Sequence, residues 1–412
     1  MKVGVVGFGY FGVGLVRASV LADKGNYIVG IDRETEKVFK LIRGVLPIHE
    51  PGLPELIQRN KSKMTFSSSY SDITGCEVIY ITIPTPTING RIDISIVEEA
   101  VTRSVRLSSE SVIAIKSTVL PGTASTLSMK LGKSIVSNPE FTREGNAIED
   151  TINLDRIVIG GTDAYEMEKI VSLWKFTNSP FLLTSNENAE MIKCDINSFL
   201  AVKILFINEL ANLCERIENC DIEVIANGMG YDKRISPFFL KAGIGYGGSC
   251  FPKDTEALIA YAKDMGAPLS LITKASTINL QRINHVMKII KEALGDDLSG
   301  KHIAVLGLSS KDNTGDVRES PALKLINRLT SSGALIEAYN PIPVKTPEGL
   351  TVKSDISSIS DDIDLIVIAS ECPHFKSLEK LKPKIPVVDA KRLLVPEAIP
   401  IYFGVGKHNA KT

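Results

Sequence analysis

The stretch Lys2-Val3-Gly4-Val5-Val6-Gly7-Phe8-Gly9-Tyr10-Phe11-Gly12, with Asp32 twenty residues past its last glycine, decides how this chain is read. A short β-branched run ends in a glycine-rich turn, and a helical pattern follows. Gly7, Gly9 and Gly12 permit a tight turn and let backbone approach a pyrophosphate, while the first N–H groups of the following helix turn positive potential toward it. Asp32 closes the next apolar run, Tyr27–Ile31, where a carboxylate accepts hydrogen bonds from ribose hydroxyls and repels a 2′-phosphate. In that context the motif reads as a dinucleotide site for NAD. A glycine-rich strand–helix turn without a ligand is the plainer alternative.

Working outward, apolar β-branched runs alternate with helical patterns: Val78–Ile83, Val112–Lys116 and Arg156–Ile159 follow the first two. Continuous apolar strands separated by helices predict a parallel sheet covered on both faces. From about Asn188 the texture changes. Glu190–Cys220 has no Gly or Pro and repeats its apolar residues at three and four, which predicts one long helix, with more helix over Asp254–Met265 and Leu269–Leu294. The alternation restarts at Lys301–Leu308, after a boundary turn at Gly295–Gly300. The expected fold is α/β: two Rossmann-like, doubly wound parallel-sheet domains (1–187 and 296–412) joined by a long central helix and a helical middle domain (188–295).

Composition excludes several classes. With 412 residues, 44% of them hydrophobic and 23% charged, the chain has the make-up of a soluble globular protein rather than a disordered one. Lys plus Arg number 47 against 48 for Asp plus Glu, so no global field favours nucleic acid or an anionic membrane. No stretch reads as a bilayer span, and the N-terminus runs into a strand without the order of a signal peptide. The cysteines are Cys76, Cys194, Cys214, Cys220, Cys250 and Cys372, with no CxxC pair and no zinc spacing. The expectation is a cytoplasmic chain with six reduced thiols, no metal and no nucleic-acid or membrane partner.

Three polar turns, Thr85-Pro86-Thr87, Ser117-Thr118 and Asn138–Gly145, fall at the ends of predicted strands, where ligands sit in open α/β sheets. Glu190, Lys193 and Asn197 share one helical face, where the Lys and the Asn could hold an oxyanion or a water, or the face could simply be solvated. The segment Lys241-Ala-Gly-Ile-Gly-Tyr-Gly-Gly-Ser-Cys250-Phe-Pro-Lys253-Asp254 is too glycine-rich for a helix. It brings a thiol to the start of a helical pattern with a lysine three residues on, an arrangement that favours the nucleophilic thiolate. Lys311 and Arg318 flank the first strand-to-helix loop of the second α/β unit and suit phosphates.

Taken together, GFGYFG, HEPGL, TPT, ST, NPEFTREG, DRIVIG, EMIK, GYGGSCFPKD and KDNTGDVRESPA resemble, in order and over nearly the whole chain, the UDP-glucose/GDP-mannose dehydrogenase family of nucleotide-sugar 6-dehydrogenases. The resemblance implies a two-step, four-electron oxidation of a sugar C6 alcohol to a carboxylate, with UDP-glucose as the sugar nucleotide, GDP-mannose as the closest competitor, and two NAD consumed. It gives Cys250 the covalent role, Lys193 and Asn197 the stabilisation of oxygen charge, and Asp254, Glu140 and Thr118 the proton transfers. It assigns Gly7, Gly9, Phe11, Gly12, Asp32, Lys37, Thr118, Glu144, Lys253 and Arg318 to the NAD side. To the UDP-sugar it assigns Glu140, Phe141, Thr142, Arg143, Glu144, Lys193, Asn197, Phe239, Leu240, Lys241, Ala242, Gly243, Gly247 and Lys311, with Arg392 a weaker addition. It also makes Arg234 a residue lent to the neighbouring subunit of a homodimer.

Overall fold

Strands form where β-branched runs can bury both faces. In chain order they are β1 Lys2–Val6, β2 Tyr27–Ile31, β3 Met64–Ser67, β4 Val78–Ile81, the short pair β5 Thr87–Ile88 and β6 Arg91–Ile92, β7 Val112–Ile115, β8 Ile135–Ser137, β9 Ile157–Gly160 and β10 Phe181–Thr184. The computed structural model describes residues 1–8, 13–48, 50–88, 90–309, 314–344, 346 and 349–408. Among these, one sheet runs β10-β9-β8-β7-β4-β1-β2-β3. All its neighbours are parallel except β8 and β9, which meet antiparallel at Ser137 and Gly160. The central strands β4 and β7 are buried at every position, which is why they read as unbroken apolar runs.

The second sheet takes β11 His302–Leu306, β12 Leu335–Tyr339, β13 Val352–Lys353, β14 Leu365–Ile368, β15 Val387–Asp389 and β16 Tyr402–Gly404. Its order is β13-β12-β11-β14-β15-β16, parallel throughout. In each sheet the first strand has its successor on one side and a later strand on the other. That reversal is the switch point at which open α/β sheets bind ligands.

The chain packs as two compact units, Met1–Ile196 and Asn197–Thr412, and the boundary falls inside the helix Asn186–Cys214. In the second unit the helical middle and the sheet share one core. Ile207, Ala211 and Ile222 pack with Val286 and Ile290 of the helix Ser270–Leu294, and with Ile303, Val305 and Val367 of the sheet.

Three expectations need correction. The long helix begins at Asn186 and stops at Cys214, short of the expected Cys220. Its start is fixed by tertiary contacts: the Asn186 side chain accepts from Ser137 N (3.0 Å) and donates to Ile135 O (3.0 Å). At its end the chain turns back and Cys220 forms a disulfide with Cys214, across Cα atoms 5.3 Å apart. The six-thiol expectation therefore fails for this pair, because spacing along the sequence does not reveal a turn that brings two cysteines together. Cys76, Cys194 and Cys372 are buried and Cys250 is exposed, none of them in a disulfide. This helix is also long and apolar enough, by length and composition, to cross a bilayer, contrary to expectation. Part of that apolar content is core, since Ala201, Leu205, Ile207 and Ala211 are buried among protein side chains.

Candidate active site

The sheet register brings the first group of site residues together. Val6 pairs with Ile31 and with Ile81, so the residues following β1, β2 and β4 end side by side: Gly7, Asp32 and Thr82. Gly7 has φ +88°, in the region that favours glycine, and donates to Ile31 O (2.7 Å). A Cβ at Gly14 would run into the Gly7 carbonyl and Thr82 Oγ1, so Gly14 lets the helix Val13–Asp23 press against the strand ends. Asp32 is buried. Its Oδ2 accepts from Phe8 N (3.1 Å) and the Lys37 ammonium (3.2 Å), and its Oδ1 accepts from Glu34 N (3.1 Å). An anchored acceptor at the end of β2 fits the ribose hydroxyls of NAD, and its charge disfavours a 2′-phosphate. Asp32→Ala should weaken NAD at least tenfold and narrow the preference over NADP, as measured by kcat/KM for each. A wild type that turns over both equally well contradicts this assignment. Gly9, Phe11 and Gly12 lie outside the described residues, as does Lys311.

Beside this group lies the turn after β8. Glu140 is buried, and Arg17, one turn into the helix Val13–Asp23, forks onto both of its carboxylate oxygens at 2.5 Å. Lys116 Nζ is 3.8 Å away. Burial alone would push the Glu140 carboxyl up, but Arg17 and Lys116 outweigh it and hold it well below the usual carboxylate range. Glu140 Oε1 also accepts from Phe141 N (2.9 Å) and Thr142 N (3.0 Å), so it shapes the turn that carries the expected substrate contacts. Lys193 Nζ lies 5.6 Å from the centre of the Phe141 ring. Arg143 is held by Asp150 at 2.6 and 2.9 Å. Glu144 is half-buried in the same turn. The Thr118 carbonyl accepts from Thr85 Oγ1 at 2.8 Å, which joins two of the polar turns.

Glu190 does not lie on a solvated face. It is 1% exposed, and its carboxylate accepts from Gly122 N (2.7 Å) and Ala124 N (2.9 Å), capping the helix Thr123–Leu131 from outside. Burial pushes it up to about 7. A carboxyl raised in the folded state from 4.5 stabilises fully below pH 4.5, and that contribution is lost as pH rises toward 7. The loss amounts to about 3 kcal/mol at most. Glu190→Gln should flatten the fall in unfolding free energy between pH 4.5 and 7, read from urea titrations. An unchanged slope would count against it.

The glycine-rich segment of the second unit is a loop pinned at several points. Gly243 N donates to Asn208 Oδ1 (2.8 Å) and Ile244 N to Ala390 O (2.9 Å). Asn279 holds both backbone polar groups of Tyr246 at 2.9 Å, and Gly248 N donates to Arg318 O (3.1 Å). A Cβ at Gly243 would stand 2.7 Å from Ala390 O, and one at Gly247 would strike Glu319 O, so these glycines are required by close approach of backbone. Leu240 and Ala242 are buried, Phe239 is partly exposed with φ +64°, and Lys241 pairs with Glu371 (3.3 Å). The loop ends at Cys250, the exposed N-cap of the helix Phe251–Asp264, with Pro252 in that helix's first turn. Asp254 N donates to Cys250 O (2.8 Å). The Asp254 carboxylate is 1% exposed between Asn197 Nδ2 (2.6 Å) and Lys253 Nζ (2.6 Å). A thiol beside a fixed acid–amide pair can add to a carbonyl and have protons managed nearby.

Residues 1–178 match the NAD binding domain of the UDP-glucose/GDP-mannose dehydrogenase family, residues 187–281 its central domain and residues 304–396 its UDP binding domain. The UDP-glucose 6-dehydrogenase TuaD of Bacillus subtilis (strain 168) is 38% identical, the alignment covering 98% of this chain and 93% of that one. The UDP-glucose 6-dehydrogenase of Rhizobium meliloti (strain 1021) is 37% identical over 92% and 91%. A solved UDP-glucose dehydrogenase from the hyperthermophilic archaeon Pyrobaculum islandicum superposes with a TM-score of 0.91 at 32% identity, over 98% of each chain. The chain belongs to the UDP-glucose/GDP-mannose dehydrogenase family. It carries that family's NAD binding domain, and its cofactor is NAD.

Within this family member, the first unit gathers Gly7, Asp32 and Lys37, then Glu140, Phe141 and Lys193. The second unit gathers Asn197, Cys250, Lys253 and Asp254. Lys193 and Asn197 lie one turn apart on the same helix. Arg392 binds Asp221 and Tyr402 (2.5 and 3.1 Å), and those contacts tie down the chain's C-terminal strand region. Glu50, inside the HEPGL segment, is a residue near the site that the sequence does not single out. It is buried, with its carboxyl raised by desolvation, and it accepts from Gly145 N (3.0 Å) and Ala147 N (2.7 Å) at the end of the turn that follows β8. Arg17 and Arg282 are two more such residues. Arg282 donates to Gly243 O (3.1 Å) from a buried site beneath the Cys250 loop. An arginine predicted on an apolar helix carries the only sequence signal, a charge at a position expected to be buried.

Proposed function

We propose that the protein is a UDP-glucose 6-dehydrogenase that oxidises the C6 alcohol of UDP-glucose to the carboxylate of UDP-glucuronate, with two NAD reduced for each sugar. The observation that carries this reading is the exposed Cys250 at a helix N-terminus, one turn from an Asp254 held between Asn197 and Lys253. Relatives bearing that name align over nearly the whole chain.

NAD, held by the residues around Gly7, Asp32 and Lys37, would supply the hydride acceptor for each of the two oxidations. Loss of a proton from the C6 hydroxyl and of hydride from C6 gives an aldehyde, with Thr118 and Asp254 handling the proton. The Cys250 thiolate adds to the aldehyde carbon to form a thiohemiacetal. Loss of a second hydride leaves a thioester, and water opens it to release the acid, a proton and the thiol. Lys193 and Asn197 stabilise the oxygen charge of the tetrahedral species. Glu140 serves as a shaped acceptor for the substrate turn, since its carboxylate is committed to Arg17 and two backbone N–H groups. Glu144, Lys253 and Arg318 face the cofactor in this reading. Phe239 to Gly243, Gly247, Arg143 and Lys311 hold the UDP-sugar.

The test is NADH production across UDP-glucose, UDP-galactose, UDP-N-acetyl sugars and GDP-mannose. UDP-glucose should give the highest kcat/KM and two NADH per sugar consumed. A tenfold preference for GDP-mannose would replace the substrate, and one NADH per sugar would remove the four-electron reaction.

Assembly as a homodimer is supported by the second half of the long helix. Phe199, Phe206 and Leu213, spaced by seven, are 64%, 49% and 56% exposed and form one apolar seam suited to a second copy. Arg234, whose side chain is 88% exposed beside Asp232, is then available to the partner's site. Phe206→Glu should convert a dimer to a monomer in sedimentation experiments and cut activity at least tenfold. A fully active wild-type monomer would overturn the dimer requirement.

A further inference from the structure

Arg17 lies one turn past the glycine-rich segment, on the helix that starts the cofactor side, yet its guanidinium reaches the substrate turn. Its Nε and Nη2 each donate to a Glu140 oxygen at 2.5 Å, and Glu140 Oε1 in turn accepts from the N–H groups of Phe141 and Thr142. The other face of the guanidinium lies 4.4 Å from the centre of the Trp174 ring. Trp174 is the chain's single tryptophan, fully buried, with its Nε1 donating to Tyr80 Oη (2.9 Å). Lys116, the neighbour of Ser117 and Thr118, completes the cluster through Asn138 O and Oδ1 (2.9 and 3.1 Å). Arg17 and Glu140 are almost fully enclosed, so neither can exchange its partner for water without moving backbone.

We propose that Arg17 is a positioning residue for the sugar: it sets the conformation of the Glu140–Thr142 turn from the cofactor-side helix, so that the two halves of the first unit's site are mechanically linked. This rests on the reading of that turn as part of the UDP-sugar site. Arginine suits the task because its planar fork fixes both carboxylate oxygens at once, whereas a lysine at the same place supplies one point charge. Because the guanidinium that holds Glu140 also stacks 4.4 Å from the Trp174 ring, a shift of the turn on sugar binding alters the indole's surroundings.

The experiment uses the full chain, with NADH production and tryptophan emission as readouts. Arg17→Met should raise KM for UDP-glucose at least tenfold while the Kd for NAD changes by less than threefold. Arg17→Lys should recover part of that KM. In the wild type, UDP-glucose should shift Trp174 emission, and Arg17→Met should abolish the shift. A folded Arg17→Met with wild-type KM and an intact emission response overturns the proposal, as does a loss of NAD affinity equal to that for the sugar. If Arg17→Met does not fold, Arg17→Lys decides, since it keeps a cation and an aliphatic stem over Trp174: wild-type KM in that variant overturns the proposal, and a several-fold increase supports it. Failure of the underlying reading is distinguishable, because the wild type itself would then give neither NADH nor an emission change with UDP-glucose.

Discussion

Cys250→Ala should lower the steady-state formation of UDP-glucuronate by at least about 10³-fold, with folding and NAD affinity near those of the wild type. The first oxidation needs a proton acceptor and a hydride acceptor, and neither is the thiol. In the proposed mechanism the second needs the aldehyde carbon converted to a tetrahedral centre that can release hydride, and the thiol would supply it. The variant should therefore give at most one NADH per sugar. Cys250→Ser should be severely impaired as well, because a hydroxyl is far less ionised than a thiol at neutral pH. Iodoacetamide should inactivate the wild type, and UDP-glucose should protect it, since Cys250 is exposed whereas Cys76, Cys194 and Cys372 are buried and Cys214 is joined to Cys220. Wild-type rates of uronate formation by Cys250→Ala, at two NADH per sugar, would end the covalent mechanism.

Asp254→Asn should lower kcat by about 10²–10⁴, the usual weight of a positioned proton-transfer group, with a much smaller change in KM. The substitution preserves shape. It removes the negative charge that balances Lys253 and leaves one acceptor oxygen where Lys253 and Asn197 now each have their own, both at 2.6 Å. Asn197 sits on the long helix and Asp254 on the helix that Cys250 caps, so this contact also fixes the thiol's helix against the residue expected to stabilise oxygen charge. Asn197→Ala should reproduce much of the loss, and the double variant should fall short of the product of the two, because the pair acts as a unit. Near-normal kcat in Asp254→Asn, with circular dichroism and melting behaviour unchanged, would remove Asp254 from the proton transfers.

The sequence by itself determined the α/β class, the restart of the alternation after the helical middle, the strand–glycine–helix opening with Asp32, and the loop that delivers Cys250. These are local properties. Period-two and continuous apolar runs specify strands, glycine specifies turns and close approach, and a proline after Cys250 suits the first turn of a helix. β2 falls where the pattern predicts, to the residue. Short strands such as β8 and β16 carry too few residues for a periodic signal, and only pairing with neighbours defines them. The tertiary structure alone decided the antiparallel meeting of β8 and β9, the halt of the long helix at Cys214, and the Cys214–Cys220 disulfide. It alone also decided what the buried charges do. Arg17 and Glu140 are 123 residues apart, and Glu50 and Gly145 are 95 apart. Nothing local distinguishes a carboxylate that will shape a turn or cap a helix from one that will move a proton. That depends on which donors the fold brings to it, because burial raises the cost of a charge until a partner is found and the partner then sets its chemistry.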